Sequence, residues 1–444
     1  MNESQTPSVL IVAYEFPPSA GGGVQRVMKL ARYLPDAGWR TTVLTAMPVP
    51  GRPTDPTLLE EVADVRVLAL PHRNAAAFVA MLLAPLKRVR RHRGTEGVTP
   101  VRSGAGDAAT ASPFSTRIVR RFMLDAAVPW SLAVPAAAKR LHAEAGFDVV
   151  FASGPPHSAL IAGRQVAADL QLPFVVDLRD PWGANPGYRW PDSAARDARS
   201  LAAEADVLRA ADLVIAVSEP IAEQATGAGA RRVVVIPNGF DPPDLPAWSP
   251  APGPLRIAFM GRFYATTDPT PFLDALALVK ARGSAAHDAR LEIVGQVSQP
   301  LIDAVSSRRL TDRVAMHGFR PHREALKMVA QADAGLVVIT ERPGAESIYS
   351  GKLFEYLGMG VPVLLCGPTT GVAASLVREA GAGTVVAYHD VEAIADALDV
   401  LELAKSRGVS SHGPDAAVVA RFDRRVQAAR VGGLLSELIG ANDE

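Results

Sequence analysis

The sequence predicts an α/β protein built from two parallel-sheet units in tandem. Short apolar runs, typical of buried strands, alternate with amphipathic helical segments along the whole chain. The alternation restarts after a proline-rich stretch, residues 241–254. At 444 residues the chain is also too long for one ordinary core, because single cores stop growing beyond about 250–300 residues. We therefore expect two Rossmann-like domains.

The predicted strands fall into two series. The first is expected at residues 9–13, 41–44, 65–68, 149–152, 174–177, 213–216 and 233–236, and the second at 255–260, 291–294, 314–316, 335–339 and 361–365. The stretch 241–254 is so rich in proline that neither helix nor strand can continue through it. We place the first domain at 1–245, with an insertion at about 72–130, and the second at 255–414.

Composition and charge indicate the class of protein. Hydrophobic residues make up 48% and charged residues 21%, as in a globular protein, and the zero net charge gives no global attraction to nucleic acid. The single cysteine, Cys366, excludes an internal disulfide, and the polar start of the chain argues against a secretion signal. The longest apolar run, 75–86, is shorter than the roughly 20 residues that span a bilayer. We expect a cytoplasmic protein, with contact to the membrane surface left open.

One stretch, residues 351–363 with the sequence GKLFEYLGMGVPV, carries more functional information than any other. Its apolar residues predict a buried helix face, and its glycines and proline predict a helix end followed by a strand. Lys352 and Glu355 lie one turn apart just outside a predicted strand, where α/β sheets bind ligands. A lysine suits a phosphate, and a carboxylate suits sugar hydroxyls. The same spacing also suits a surface ion pair, worth about 0.2–0.5 kcal/mol.

The segment GKLFEYLGMGVPVL resembles the K-x-F-E-Y-x-x-x-G-x-P signature of family 4 glycosyltransferases, retaining enzymes of the two-domain GT-B fold. The resemblance implies two Rossmann-like domains that face each other across a cleft. The pattern of residues 415–439 predicts one helix, and the resemblance implies that this last segment, 415–444, packs back toward the first domain. In this family the glutamate that matches Glu355 holds the ribose hydroxyls of a nucleotide sugar.

A glycine-rich loop, EFPPSAGGGVQR at residues 15–26, follows the first predicted strand. Gly22 and Gly23 let the backbone approach a ligand closely, and the helix N-terminus behind them favours a phosphate. A flexible loop with no ligand has the same composition. The loop is also similar to the P-P-x-x-G-G loop of family 4 enzymes, whose backbone touches the donor or the acceptor.

The second domain opens with FMGR, residues 259–262, which is similar to the G-R of the family. The resemblance implies that Arg262 binds the diphosphate, although a solvated loop arginine fits the sequence too. Family members carry a lysine several residues later, and residues 264–269 contain none, so Lys352 is the best second cation. Gly318 matches the glycine before a loop whose backbone contacts the base.

Two neighbouring strands of the first series end in SGPPHS, residues 153–158, and DLRDPW, residues 177–182. His157 suits a hydrogen bond to a sugar hydroxyl, and it equally suits packing against the helix that follows it. Arg179 and Asp180 belong to an R-D-P-W motif that resembles a bacterial subgroup of the family. Asp180 also suits a turn cap.

A basic, apolar segment lies at residues 75–93. Its apolar run is followed by the cluster Lys87, Arg88, Arg90, Arg91 and Arg93. Such a segment suits peripheral contact with an anionic membrane, and it also suits a surface insertion packed on its own domain. Nucleic acid is disfavoured because the cluster lacks aromatic residues for stacking.

The resulting prediction is a retaining glycosyltransferase that uses a nucleotide sugar as donor and a glycan, lipid-linked or small-molecule acceptor. No metal or cofactor is expected, because no ligand cluster of metal-binding spacing and no G-x-G-x-x-G motif occurs. The predicted catalytic residues are Arg262, Lys352 and His157, and the predicted substrate-binding residues are Gly22, Gly23, Arg179, Asp180, Gly318 and Glu355. Two alternatives are a nucleotide-sugar 2-epimerase of the same fold and a non-catalytic binding protein.

Overall fold

The structure is a computed structural model that describes residues 6–71, 124–183, 194–263, 267–408 and 413–440. The segment 75–93, for which membrane contact is predicted, lies outside these ranges. Within them, no helix has both the length and the apolar character needed to cross a membrane.

The described strands form two sheets, and all of their pairings are parallel. The first sheet has the strand order β3-β2-β1-β4-β5-β6-β7, and the second has the order β10-β9-β8-β11-β12-β13. This confirms the predicted fold class of two Rossmann-like α/β units. The strands are β1 (Ser8–Ala13), β2 (Arg40–Ala46), β3 (Arg66–Leu70), β4 (Val149–Gly154), β5 (Phe174–Leu178), β6 (Leu213–Ala216), β7 (Val233–Val235), β8 (Arg256–Met260), β9 (Arg290–Val294), β10 (Val314–Met316), β11 (Ala334–Val338), β12 (Val363–Gly367) and β13 (Gly383–Ala387).

Helices connect the strands and cover both faces of the sheets, as parallel sheets require. The α-helices are α1 (Gly22–Tyr33), α2 (Val128–Ser131), α3 (Val134–Ala145), α4 (His157–Leu170), α5 (Ala194–Ala210), α6 (Glu219–Gly227), α7 (Thr270–Arg282), α8 (Gln299–Ser307), α9 (His322–Ala330), α10 (Gly351–Met359), α11 (Val372–Glu379), α12 (Val391–Ser406), α13 (Ala416–Ala420) and α14 (Arg424–Gly440). Four short 3₁₀ helices are described at Leu34–Ala37, Pro56–Val62, Pro242–Asp244 and Ala345–Ser347.

Strand β13 was absent from the sequence prediction. It lies at the edge of the second sheet, and four of its five residues are only partly buried, so its pattern is weaker than that of a central strand. The first residue of the strand is Gly383, where a Cβ would lie 1.9 Å from the Val363 carbonyl oxygen. The backbone can pair here only because the position is glycine, and a hydrophobicity pattern does not reveal such a requirement.

The end of the chain forms two helices where the sequence predicted one continuous helix over 415–439. The break falls between α13 and α14, where the backbone N–H of Phe240 donates to the Phe422 carbonyl at 2.9 Å and that of Arg424 donates to the Phe240 carbonyl at 3.0 Å. These hydrogen bonds replace helical ones. Beyond the break, α14 packs against α1, and the indole of Trp39 donates to the Gly432 carbonyl at 3.1 Å.

Each sheet contains a point at which the strand order reverses. In the first sheet it lies between β1 and β4, and in the second between β8 and β11. Connections leave in opposite directions at such a point, so a crevice opens at the carboxyl ends of the two strands, and ligands of open α/β sheets bind there. The loops after β1, β4, β8 and β11 therefore border these two crevices.

Candidate functional site

Direct hydrogen bonds join the two domains at the edges of the cleft. The hydroxyl of Ser218, just after β6, donates to the carbonyl of Ser347 at 3.1 Å. At another place the backbone N–H of His322, the first residue of α9, donates to the carboxylate of Asp55 at 3.0 Å. The two domains are therefore in direct contact beside the carboxyl edges of their sheets.

Helix α10 lies at the centre of the second domain's wall. Its inward face is buried through Leu353, Phe354, Tyr356, Leu357 and Met359. The hydroxyl of Tyr356 accepts a hydrogen bond from the backbone N–H of Met260 at 3.2 Å, which ties the helix to the carboxyl end of β8. The ring fits there because position 335 is glycine, where a Cβ would lie 2.3 Å from the ring. Packing therefore fixes the first turn of α10 beside the β8 loop.

Lys352 projects from this first turn toward the end of β8. Its Nζ lies 4.3 Å from the centroid of the Phe259 ring, a cation–π distance, and 3.4 Å from the Ser350 hydroxyl. Burial lowers the pKa of Lys352 to about 8, and the nearby charge of Glu355 opposes that shift. Among the described residues, no carboxylate forms an ion pair with this ammonium. Lys352 is thus a partly desolvated cation available to an anionic ligand.

Glu355 faces the same cleft one turn later, with a side chain that is 13% exposed. One of its oxygens lies 2.7 Å from Nε2 of His322. Burial lowers the pKa of His322, but the Glu355 and Asp244 carboxylates raise it more, so the net pKa lies above the ordinary value. A carboxylate has about four acceptor positions, so Glu355 keeps several for a ligand.

Three glycines form the backbone surface beside Lys352. The N–H of Gly295 donates to the Gly318 carbonyl at 2.9 Å, and a Cβ at Gly295 would lie 1.8 Å from the Gly261 carbonyl oxygen. Gly318 itself has φ +70 and open space around it. These contacts hold the ends of β8, β9 and β10 together. Arg262 directly follows Gly261 in the chain and is exposed at this edge. The structure therefore brings Arg262, Gly318, Lys352 and Glu355 to one wall.

The glycine-rich loop after β1 forms part of the opposite wall. Helix α1 begins at Gly22, and no side chain caps its N-terminus. A Cβ at Gly22 would meet nothing within 4 Å, whereas one at Gly23 would lie 2.6 Å from the Glu15 carboxylate and 3.2 Å from the Arg179 guanidinium. A side chain at position 23 would displace the ends of Glu15 and Arg179, whereas Gly22 leaves exposed backbone for a ligand to approach.

Arg179 has its hydrogen-bond donors directed at neighbouring loops. Its guanidinium donates to the carbonyls of Gly23, Gly154 and Pro155, the second at 3.2 Å. These carbonyls lie in the first turn of α1, at the last residue of β4 and in the loop that follows β4. These contacts make Arg179 a brace between loops, and its role in binding substrate stays a prediction.

The other two predicted residues of this wall differ in environment. His157 is 1% exposed and stacks on Trp182 with the ring centroids 4.4 Å apart. Burial, with a smaller effect from the charge of Arg179, lowers the pKa of His157 to about 3, so the ring is neutral. This placement favours the packing interpretation over the catalytic one. Burial raises the pKa of Asp180, and the charges of Arg179 and of Arg342 in the second domain oppose the shift.

A buried ion cluster that was not predicted from the sequence lies beside the hinge, residues 239–245, where the chain leaves the first domain. Lys29 on α1 is 1% exposed, and its ammonium contacts the carboxylates of Glu61, Asp241 and Asp244. The hydroxyl of Tyr33 also donates to Asp241, at 2.8 Å. In the described parts of the chain these carboxylates are the one group close enough together to hold a metal ion, and Lys29 already lies among them. The cluster is thus an internal ion pair network that links α1 to the hinge.

Comparison with known families decides the identity of the chain. Residues 21–239 match the model of the glycosyl transferase 4-like domain, and residues 254–402 match that of glycosyl transferases group 1. The chain belongs to this glycosyltransferase family. No curated protein matches the chain at a significant level.

Solved structures with the same architecture extend over almost the whole glycosyltransferase chain. Sucrose-phosphate synthase from Thermosynechococcus elongatus is 19% identical, with a TM-score of 0.66 over 98% of this chain and 100% of that one. Anabaena HepE, solved in complex with UDP-glucose, is 16% identical, with a TM-score of 0.62 over 97% and 100%. A putative UDP-N-acetylglucosamine 2-epimerase from Listeria monocytogenes is 12% identical, with a TM-score of 0.55 over 96% and 95%. At these identities the likeness shows the fold, which is GT-B.

Proposed function

We propose that this glycosyltransferase moves a sugar from a nucleotide-sugar donor to an acceptor in the cleft, with retention of configuration and without a metal ion. The observation that carries the proposal is the pair on α10, where Lys352 has no carboxylate partner in the described ranges and Glu355 lies one turn away, both beside the β8 loop. A cation and a carboxylate at this spacing suit the phosphate and the ribose of one ligand. The UDP-glucose held by HepE supports a donor of this class.

The proposed roles follow from position. Glu355 accepts hydrogen bonds from the ribose hydroxyls, and the backbone near Gly318 contacts the base. Lys352 and Arg262 stabilise the charge that develops on the diphosphate as it leaves. Interactions that are stronger in the transition state than with the bound donor raise kcat, whereas equal binding of both does not. Gly22 lets the sugar end of the donor approach the first domain.

Retention requires the acceptor to attack from the face that the diphosphate leaves. In the proposed step the bond between the anomeric carbon and the phosphate oxygen breaks, and the acceptor oxygen bonds to the same face. The acceptor proton passes to the departing phosphate oxygen, so no protein nucleophile is needed. Closure of the two domains excludes water, which would otherwise hydrolyse the donor.

The test begins with a thermal-shift screen of UDP-, GDP-, ADP- and dTDP-sugars, since a ligand stabilises the fold by RT ln(1 + [L]/Kd). NMR of the product formed from the best donor then gives the anomeric configuration. Retained configuration, with turnover unaffected by EDTA, supports the proposal. Inverted product contradicts retention, loss of turnover in EDTA contradicts metal independence, and donor epimerised without acceptor indicates an epimerase. Binding without any turnover indicates a binding protein.

We expect Glu355→Ala to weaken nucleotide binding at least tenfold without unfolding the protein. Hydrogen bonds to a charged acceptor are worth about 1.5–3 kcal/mol, and 1.4 kcal/mol corresponds to a factor of ten. Calorimetry with the best nucleoside diphosphate measures the change, and circular dichroism checks the fold. Unchanged affinity would remove Glu355 from the ribose site.

Membrane contact through residues 75–93 is a separate expectation for an enzyme with a lipid-linked acceptor. We expect reversible binding to anionic liposomes that weakens with salt, because screening acts over about 8 Å at physiological ionic strength. Replacement of Lys87, Arg88, Arg90, Arg91 and Arg93 with glutamine should release the protein and leave nucleotide binding intact. Equal sedimentation of both proteins with vesicles would exclude this segment as the anchor.

A further inference from the structure

His322 lies between Glu355, which is proposed to bind the ribose, and a contact between the two domains. Its Nε2 lies 2.7 Å from Oε1 of Glu355, and its backbone N–H donates to Oδ2 of Asp55 at 3.0 Å. Glu355 belongs to the second domain and Asp55 to the first, so one residue touches both. The histidine and glutamate side chains are 20% and 13% exposed, which removes most of the solvent screening of this contact.

The other ring nitrogen of His322, Nδ1, is buried and has no hydrogen-bond partner among the residues that the structure describes. A buried polar atom without a partner lowers the stability of the fold, because it loses its hydrogen bonds to water. The ring therefore keeps this orientation at a cost in stability, and what it gains is the hydrogen bond to Glu355. Such unsatisfied groups in folded proteins are often found where function requires the arrangement.

The contact with Asp55 fixes the backbone from which the imidazole projects. Oδ1 of Asp55 accepts from the N–H and hydroxyl of Thr57, at 3.1 Å and 2.6 Å, which holds the carboxylate in one orientation. Oδ2 is then left for the N–H of His322. Opening of the cleft breaks this interdomain hydrogen bond and frees the start of α9.

We propose that His322 positions Glu355 for the ribose and that Asp55, through the backbone of His322, makes ribose binding depend on the contact between the two domains. This inference rests on the proposed function, in which Glu355 holds the ribose. His322 donates to one oxygen and leaves the other acceptor positions of Glu355 facing the ligand. A carboxylate held in one rotamer binds a diol with less loss of side-chain entropy than a mobile one.

The first test compares nucleotides with and without the ribose hydroxyls. Calorimetry uses the best nucleoside diphosphate of the panel and its 2′,3′-dideoxy analogue. In the wild type we expect the ribonucleotide to bind at least tenfold more tightly. His322→Phe, which keeps a ring and removes the donor, should reduce that ratio by five- to tenfold, whereas His322→Gln, which keeps an N–H donor, should restore part of it. His287→Phe, at an exposed histidine elsewhere in the domain, is the control and should leave the ratio unchanged.

The second test addresses the contact between domains. Asp55→Asn keeps an oxygen for the turn at Thr57 and presents an amide N–H₂ to His322, so it removes the interdomain acceptor. We expect three- to tenfold weaker ribonucleotide binding and little change for the dideoxy analogue. Asp415→Asn is the matched control, because Asp415 caps a helix through the same kind of contact, at 2.8 Å to the Ala417 N–H.

The possible results separate this inference from the proposed function. Equal loss of both nucleotides in His322→Phe, or no loss of either, overturns the positioning role of His322. Unchanged ribonucleotide binding by Asp55→Asn overturns the coupling to the domain contact. If Glu355→Ala keeps the wild-type ratio, or the wild type binds no nucleotide, the ribose assignment itself fails and this inference fails with it.

Discussion

Replacing Lys29 with methionine is expected to lower the free energy of unfolding by about 3–5 kcal/mol, because removing one partner of a buried ion pair leaves uncompensated charge. Lys29 is 1% exposed, and the carboxylates of Glu61, Asp241 and Asp244 are 6%, 2% and 2% exposed. Without the ammonium, these carboxylates remain buried next to one another. Urea unfolding followed by circular dichroism measures the loss.

The effect of Lys29→Met should depend on pH in a defined direction. Burial raises the pKa of Asp244, but the hydrogen bond and charge of Lys29, together with the charges of Arg323 and His322, more than offset this, so the pKa lies below its ordinary value. In the wild type this carboxylate contributes stability above its unfolded pKa, and the contribution is lost as pH falls through the folded pKa. In the variant, without the ammonium, the Asp244 carboxylate takes up a proton more easily. The difference between variant and wild type should therefore be smaller at pH 5 than at pH 8.

A control for the cluster is available on its exposed side. Arg323 contacts Asp244 at 2.9 Å, but its side chain is 53% exposed. Exposed ion pairs are worth about 0–1 kcal/mol, so Arg323→Ala should change stability far less than Lys29→Met. Equal effects of the two variants would show that burial of Lys29 does not determine the stability of the hinge region.

Replacing Lys352 with alanine should lower kcat about 10²–10³-fold, the size of effect seen when one preorganised group that stabilises transition-state charge is lost. The ammonium lies over the Phe259 ring and has no carboxylate partner in the described ranges, so no protein anion neutralises its charge there. Since the charge on the leaving diphosphate grows in the transition state, kcat should fall by more than KM rises. Steady-state kinetics with the best donor measure both.

The pH profile gives a second measure of the same residue. Burial lowers the pKa of Lys352 to about 8, and only the protonated form is a cation. The value of kcat/KM, which reports groups of the free enzyme, should therefore fall as pH rises above about 8. Lys352→Arg should move this fall to higher pH, because a guanidinium stays charged. Lys280→Ala is the control, since Lys280 pairs with Asp312 on the surface. A change in KM alone in Lys352→Ala would contradict a role in leaving-group stabilisation.

Sequence patterns predict the sheets well because buried parallel strands are continuous apolar runs. Strand β1, SVLIVA, is buried at all six positions, so its pattern has one interpretation. The edge strand β13 escaped prediction for the opposite reason, since most of its residues are half-buried. The predicted helix over 415–439 failed at a point where tertiary hydrogen bonds to Phe240 compete with helical ones.

The second-domain wall of the site was predictable because its key residues lie on one short helix. Lys352 and Glu355 are three positions apart, so helical geometry alone places them together. The partner of Glu355 was not predictable, because His322 lies 33 residues away in the sequence and approaches it only in the folded chain. Arg179 has the charge of a ligand-binding residue, but the carbonyls that occupy its donors appear only when three loops have been placed.

The chain passes between the two domains at two adjacent places, once around Gly239 and once around Phe422. The passages are hydrogen-bonded to each other, and a Cβ at Gly239 would lie 2.1 Å from the Phe422 carbonyl oxygen. Two domains joined by two neighbouring chain segments can rotate easily about the line through those segments. A sliding motion is resisted, because it would stretch one of the segments. Points on the cleft walls then move along arcs that lengthen with distance from that axis. A change of a few degrees beside Gly239 therefore gives the largest displacement at the mouth of the cleft, where an acceptor has to enter.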